Sequence, residues 1–258
     1  VAELNAMLDI TITRKCYPDR GGQPHVALAG LRLHAAPGEF VCVVGPSGCG
    51  KSTLLNLVGG LDHELDGRIG GAGLQGNIGF MFQEPRLMPW LTVLDNVLLV
   101  GDGSAAARRR ARELLVAMEL GEVLDAFPGR LSGGMRRRVA LARAFAIEPC
   151  LLLMDEPFVS LDAPTANRLR TMLIELWRRC GSTVLFVTHD LREALALADR
   201  VCFLSAAPGR VVLELPVSLA RPRQPDDGAV LALHSRLLAE HPDLLAGLAQ
   251  PHAGVDHD

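Results

Sequence analysis

Eight consecutive residues carry the plainest chemistry in the chain: Gly45-Pro46-Ser47-Gly48-Cys49-Gly50-Lys51-Ser52, followed by Thr53. They match G-x-x-x-x-G-K-[ST], set between a β-branched apolar run and a leucine-rich helical pattern. Glycines let the backbone wrap tightly, so that successive N–H groups converge on phosphate oxygens. The N-terminus of a following helix adds partial positive charge. The Lys51 ammonium can reach the terminal phosphates, and the Ser52 hydroxyl can ligate Mg²⁺. Together these residues predict binding of a nucleoside triphosphate.

A second group stands at Leu151-Leu152-Leu153-Met154-Asp155-Glu156, an apolar run that ends in two acids. Beside a phosphate loop, an acid at the carboxyl end of a neighbouring strand faces the metal. Asp155 is the expected Mg²⁺ holder, acting through water. Glu156 is placed to orient or deprotonate an attacking water. Of 26 basic residues only Lys15 and Lys51 are lysine. A lysine retained in so arginine-rich a chain marks Lys51 as a position that arginine does not fill equally well.

The elements that must position these residues follow from periodicity. Residues 7–17 and 26–34 alternate as strands, with a turn at Pro18-Asp19-Arg20-Gly21-Gly22. Residues 40–44 and 151–154 are short and wholly apolar, and Thr183 to Thr188 is apolar between two threonines, as strands buried on both faces of a parallel sheet are. Helical spacing covers 52–61, 91–127 with a break at Gly101-Asp102-Gly103, 132–147, 163–180 and 191–198; Ser104 is the expected cap after the break. Residues 201–204 and 210–215 read as a hairpin around Pro208-Gly209. Beyond Pro216 the pattern weakens, and the last eight residues read as a frayed tail. The fold class is α/β with a mainly parallel sheet core, an antiparallel β N-terminal subdomain and an inserted helical subdomain at 84–149. The expected division is a nucleotide-binding domain over 1–220 and a C-terminal helical or tail extension over 221–258.

Composition limits the partners. The chain has 258 residues, 49% hydrophobic and 21% charged, which excludes a disordered polypeptide. A net charge of −3 gives no electrostatic case for nucleic acid. No window approaches the ~18 uninterrupted apolar residues of a membrane span. The N-terminal VAELNAMLDI lacks the basic cluster of a signal peptide. Six cysteines, at 16, 42, 49, 150, 180 and 202, form no metal-binding spacing and read as reduced thiols. His234, His241, His252 and His257 also fit no compact metal site.

Leu131-Ser132-Gly133-Gly134-Met135 lies between the phosphate loop and Asp155-Glu156. In that order the three resemble the nucleotide-binding subunit of an ATP-binding cassette transporter. Gln83 resembles the family's Q-loop glutamine, Ser160-Leu161-Asp162 its D-loop and His189 its switch histidine. Tyr17 sits where the family keeps an aromatic that stacks on adenine; an aromatic on a strand is more often a packing residue. The resemblance covers roughly residues 7–223. It implies ATP and Mg²⁺ as ligands, with Ser52, Gln83 and Asp155 at the metal. It implies Glu156, His189, Gln83 and Lys51 in catalysis, and Ser132, Gly133, Gly134 and Asp162 at the ATP of an opposite subunit. Two chains would pair head to tail on ATP, on the cytoplasmic face of the cell membrane, driving integral-membrane permease subunits and indirectly a solute-binding protein.

Met135 departs from the commonest signature, which ends in Gln. With Pro89-Trp90-Leu91-Thr92-Val93 and Pro208-Gly209-Arg210 it resembles importers of the nitrate, sulfonate and taurine type. Trp90 is either a permease contact or packing inside the helical subdomain. Arg136, Arg137 and Arg138 read as a basic face, solvated at two or more of the three. The alternatives are a non-transport ATPase of the same superfamily, the energy subunit of an exporter and a small-molecule kinase. A kinase leaves Ser132-Gly133-Gly134 and His189 unexplained.

Overall fold

The computed structural model describes residues 7–18 and 24–248. Most of the turn expected at 18–22, the frayed tail and His252 and His257 lie outside the described residues.

Two sheets form the frame. A three-stranded antiparallel sheet has the order β2-β1-β4, from β1 (Leu8–Tyr17), β2 (His25–Ala35) and β4 (Asp66–Gly70). Leu8, Ile10 and Ile12 alternate with more exposed neighbours, so this sheet buries one face only. A six-stranded sheet has the order β5-β6-β7-β3-β8-β9. Its strands are β3 (Phe40–Val44), β5 (Ile78–Met81), β6 (Leu151–Asp155), β7 (Thr183–Thr188), β8 (Arg200–Leu204) and β9 (Val211–Pro216). All neighbours are parallel except the hairpin pair β8 and β9.

The continuous apolar runs of the central strands are explained by cover on both faces. Phe40, Cys42 and Val44 join Leu152, Met154, Val184 and Phe186 in one apolar cluster with the helices. Val41, Val43, Leu151, Leu153, Leu185 and Val187 face the other way, into a cluster with the antiparallel sheet and α1 (Lys51–Val58). Leu54, Leu55, Leu57 and Val58 give α1 its buried stripe, and each such side chain contributes ~1.5–3 kcal/mol relative to exposure.

Between β5 and β6 the chain is helical: α2 (Val93–Leu98), α3 (Ala105–Ala117) and α4 (Gly133–Phe145). Ser104 caps α3, its hydroxyl accepting the Ala107 N–H. The helix stops at Ala117 rather than running to 127. Met118 closes it, and Glu119 turns out of it with φ of 56°. Helices α5 (Ala163–Cys180) and α6 (Leu191–Leu197) flank β7.

Two elements escape the periodic reading. Strand β4 is the exposed segment DGRIG, with little apolar content to signal a strand. Strand β5 is only four residues long. Helix α7 (Gly228–Glu240) supplies Val230 and Leu237, which with Leu244 join the helical-side cluster. The segment after Pro216 is thus packed on the same core.

Candidate functional site

The sheet order brings the site together. Strands β5, β6, β7 and β3 are consecutive neighbours and all parallel. Gln83 follows β5, Asp155 and Glu156 end and follow β6, His189 follows β7, and the phosphate loop follows β3. Residues remote in sequence therefore emerge at the same carboxyl edge, where open α/β sheets place ligands.

Gly50 shows why the loop needs glycine. Its φ is 98°, and a Cβ there would lie 2.5 Å from Leu28 Cδ2 and 2.9 Å from the Ala27 carbonyl oxygen. Gly209, in the hairpin turn after β8, supports the loop from behind: its added Cβ would sit 2.1 Å from the Cys49 carbonyl oxygen. The buried Lys51 ammonium donates to the carbonyls of Gly45 at 2.7 Å and Pro46 at 3.0 Å. It also lies 3.8 Å from Glu156 Oε1. Glu156 Oε2 is 2.9 Å from His189 Nδ1. Glu156 itself sits at φ 42° and donates its N–H to the Val187 carbonyl, which fixes the turn out of β6.

Tyr17, Ser47, Gly48, Gly50, Lys51, Ser52, Thr53, Gln83 and Glu156 line one open cleft of about 360 Å³. His25 and Ala27 line it too; both belong to β2 and carry no motif, so nothing in the sequence marks them. Thr53 and the free ends of the first helical turn place N–H donors at one end. Tyr17 stands at the rim, its hydroxyl donating to Asp62 at 2.9 Å and its ring 4.6 Å from Lys15 Nζ. Burial pushes its phenol above the usual value.

Gly45, Pro46 and Cys49 do not face the cleft. The Cys49 thiol is buried, and the Cys49 N–H donates to the Pro46 carbonyl. Asp155 hydrogen-bonds the Ser52 side chain, and burial raises its pKa. Hydroxyl, carboxylate and amide oxygens from Ser52, Asp155 and Gln83 form a hard donor set that suits Mg²⁺.

Ser132, Gly133 and Gly134 lie away from this cleft. Ser132 is exposed and caps α4, its hydroxyl accepting the Met135 N–H at 3.2 Å. Asp162 caps α5 through the Thr165 N–H at 3.0 Å. Of the three arginines that follow the signature only Arg136 is exposed, which corrects the expectation of a solvated face. Arg137 is buried, and its donors reach the carbonyls of Gln83, Pro157 and Val159 at 2.8, 2.7 and 2.6 Å. Burial lowers its pKa. Arg143, two turns on, holds the carbonyls of Pro85 and Arg86.

A phosphate loop, a carboxylate pair and a histidine on adjacent parallel strands define a phosphate-loop NTPase. The model of the ABC transporter family matches residues 28–159, and the chain belongs to that family. It is 49% identical over 242 residues to the aliphatic sulfonates import ATP-binding protein SsuB 2 of Burkholderia lata, an alignment spanning 90% of this chain and 85% of that one. It is 40% identical over 239 residues to the SsuB protein of Bacillus subtilis, spanning 90% and 92%. A dimeric post-hydrolysis state of the ATP-binding cassette MJ0796 bound to ADP and Pi aligns with a TM-score of 0.71 at 34% identity, over 83% of this chain and all of that one. The protein is an ATP-binding and ATP-hydrolysing cassette with the mixed-sheet fold of its family. No helix among the described residues is long and apolar enough to cross a membrane.

Proposed function

We propose that this chain powers import of an aliphatic sulfonate. It hydrolyses ATP as a head-to-tail pair docked beneath membrane permease subunits. The observation that carries the catalytic part is the Lys51–Glu156–His189 arrangement at the lip of the phosphate loop. The sulfonate class is carried by the names of relatives at 40–49% identity; nitrate and taurine were equal candidates on residues alone.

The phosphate-loop amides and Lys51 hold the phosphates and offset their charge. Glu156 orients water in line as general base, and His189 steadies the Glu156 carboxylate from the other side. When bound, Mg²⁺ neutralises charge on the terminal phosphates, with Ser52, Asp155 and Gln83 as its holders. Ser132 and Gly133, exposed, and the half-buried Gly134 lie off their own cleft and serve the ATP of the opposite chain. Asp162 lies beside that junction, and Tyr17 at the cleft rim stacks on the base. ATP then favours the closed pair because it contacts both chains, and its hydrolysis removes that bridge.

Trp90 follows the Gln83 loop and is 70% exposed. That exposure favours a permease contact over internal packing. The site is peripheral, on the cytoplasmic face of the cell membrane, and a solute-binding protein acts only through the permease.

Sizing the purified chain with and without ATP tests the pairing. Glu156→Gln is expected to elute as a dimer with ATP and as a monomer without it. A monomer under both conditions contradicts the head-to-tail reading.

A further inference from the structure

One buried cation ties two loops of the site to one helix. The Arg137 guanidinium extends from α4, one and a half turns after Ser132. One of its terminal nitrogens donates both to Gln83 at 2.8 Å and to Pro157 at 2.7 Å; the other donates to Val159 at 2.6 Å. All three acceptors are main-chain carbonyls, so the contacts fix backbone rather than side chains. Gln83 is a cleft residue. Pro157 follows Glu156 directly, and Val159 precedes Ser160, which sits at φ 62°. The turn from Glu156 to Val159 is closed by one further hydrogen bond, from the Val159 N–H to the Glu156 carbonyl at 3.2 Å.

We infer that Arg137 is a positioning residue for hydrolysis: it sets Glu156 and Gln83 in register with the signature helix of the same chain. The inference rests on the ATPase reading and adds to it. A planar fork with several donors can serve three carbonyls that point from different directions. A side chain without those donors leaves three carbonyls, two of them beside the general base, without their partner. Nothing in the contact reaches the phosphate loop or Tyr17, so ATP affinity is not expected to depend on it. If α4 shifts when Ser132 meets the nucleotide of the opposite chain, Arg137 carries that shift to Glu156 in its own site. The signature of one site would then be linked to the water-activating carboxylate of the other.

The test uses the full chain with Arg137→Met, Arg137→Gln and Arg137→Lys. Turnover, KM for ATP and the affinity for a non-hydrolysable ATP analogue are measured for each. Amide hydrogen exchange over residues 156–161 is followed without nucleotide. Arg137→Met is expected to lower kcat 10- to 100-fold, with analogue affinity within twofold of native and faster exchange confined to that turn. Lysine and glutamine, which keep part of the donor set, are expected to fall between. A kcat within twofold of native in all three variants overturns the inference. So does a kcat loss that tracks a fall in melting temperature, with exchange raised throughout the core, since that is the signature of a structural residue. The exchange experiment needs no hydrolysis, so it separates failure of this inference from failure of the ATPase reading.

Discussion

Glu156 and His189 meet through Oε2 and Nδ1 at 2.9 Å, while the other Glu156 oxygen stands 3.8 Å from the Lys51 ammonium. The carboxylate is thus held from two sides, at the point where the proposed mechanism aims a water. Adjacent strands β6 and β7 make this possible, because Asp155 pairs with Val187 in register. Glu156→Gln keeps the shape of the side chain and removes the proposed base. Steady-state ATPase is expected to fall by 10²–10⁴, the range of a lost general base, with ATP binding retained. Coupled-enzyme turnover and fluorescent-nucleotide binding check both halves.

Gly50→Ala tests the loop backbone. The added methyl meets Leu28 and the Ala27 carbonyl, and φ of 98° suits glycine alone. A cost of about 1–3 kcal/mol is expected, together with weakened ATP affinity, because the loop amides lose their aim. Chemical denaturation and nucleotide titration read the two effects. Unchanged values in both would contradict the loop geometry.

Glu193 gives the chain a pH dependence. It is buried on α6, accepts the Thr188 hydroxyl at 2.7 Å, and lies 3.6 Å from Arg170. Burial pushes its carboxyl up from 4.5 to about 7. The folded state therefore binds more protons than the unfolded state between those values. The stability this group contributes is present below about 4.5 and is lost as pH rises through about 7. Glu193→Gln keeps an acceptor for Thr188 and removes the titration. Relative to native, the variant is expected to gain up to roughly 3 kcal/mol between pH 4.5 and 8. Urea unfolding at both pH values measures this, and parallel stability curves would contradict it.

Much of this was legible before any coordinates. The phosphate loop and Asp155-Glu156 announce themselves because local chemistry demands particular residues at fixed spacing, whereas His189 and Gln83 were legible only through the family resemblance. The buried strands were legible because both their faces are covered. Other parts were not. Strand β4 is held by pairing with β1 rather than by its own composition, and β5 is too short to show a period. His25 and Ala27 reach the cleft only because β2 runs past the loop. Arg137 looked like surface charge because its acceptors are backbone carbonyls, which leave no mark in a sequence.

Trp90→Ala separates coupling from catalysis. The side chain is 70% exposed, so removing it is expected to change stability by less than about 0.5 kcal/mol. Basal ATPase should stay within twofold of native, while substrate-stimulated ATPase in the membrane complex falls by tenfold or more. A melting scan and the two ATPase assays suffice. Equal loss in both assays would return Trp90 to a packing role.

The most direct measurement joins the chain to its membrane partners. The tagged chain would be purified from native membranes with ATP, reconstituted into vesicles with whatever permease accompanies it, and supplied with the matching solute-binding protein. ATP-dependent uptake of a labelled alkanesulfonate is expected, and is expected to vanish with Glu156→Gln. If a permease accompanies the chain but nitrate is carried and alkanesulfonates are not, the substrate class is wrong. If no multi-span protein accompanies an active ATPase, the importer reading fails.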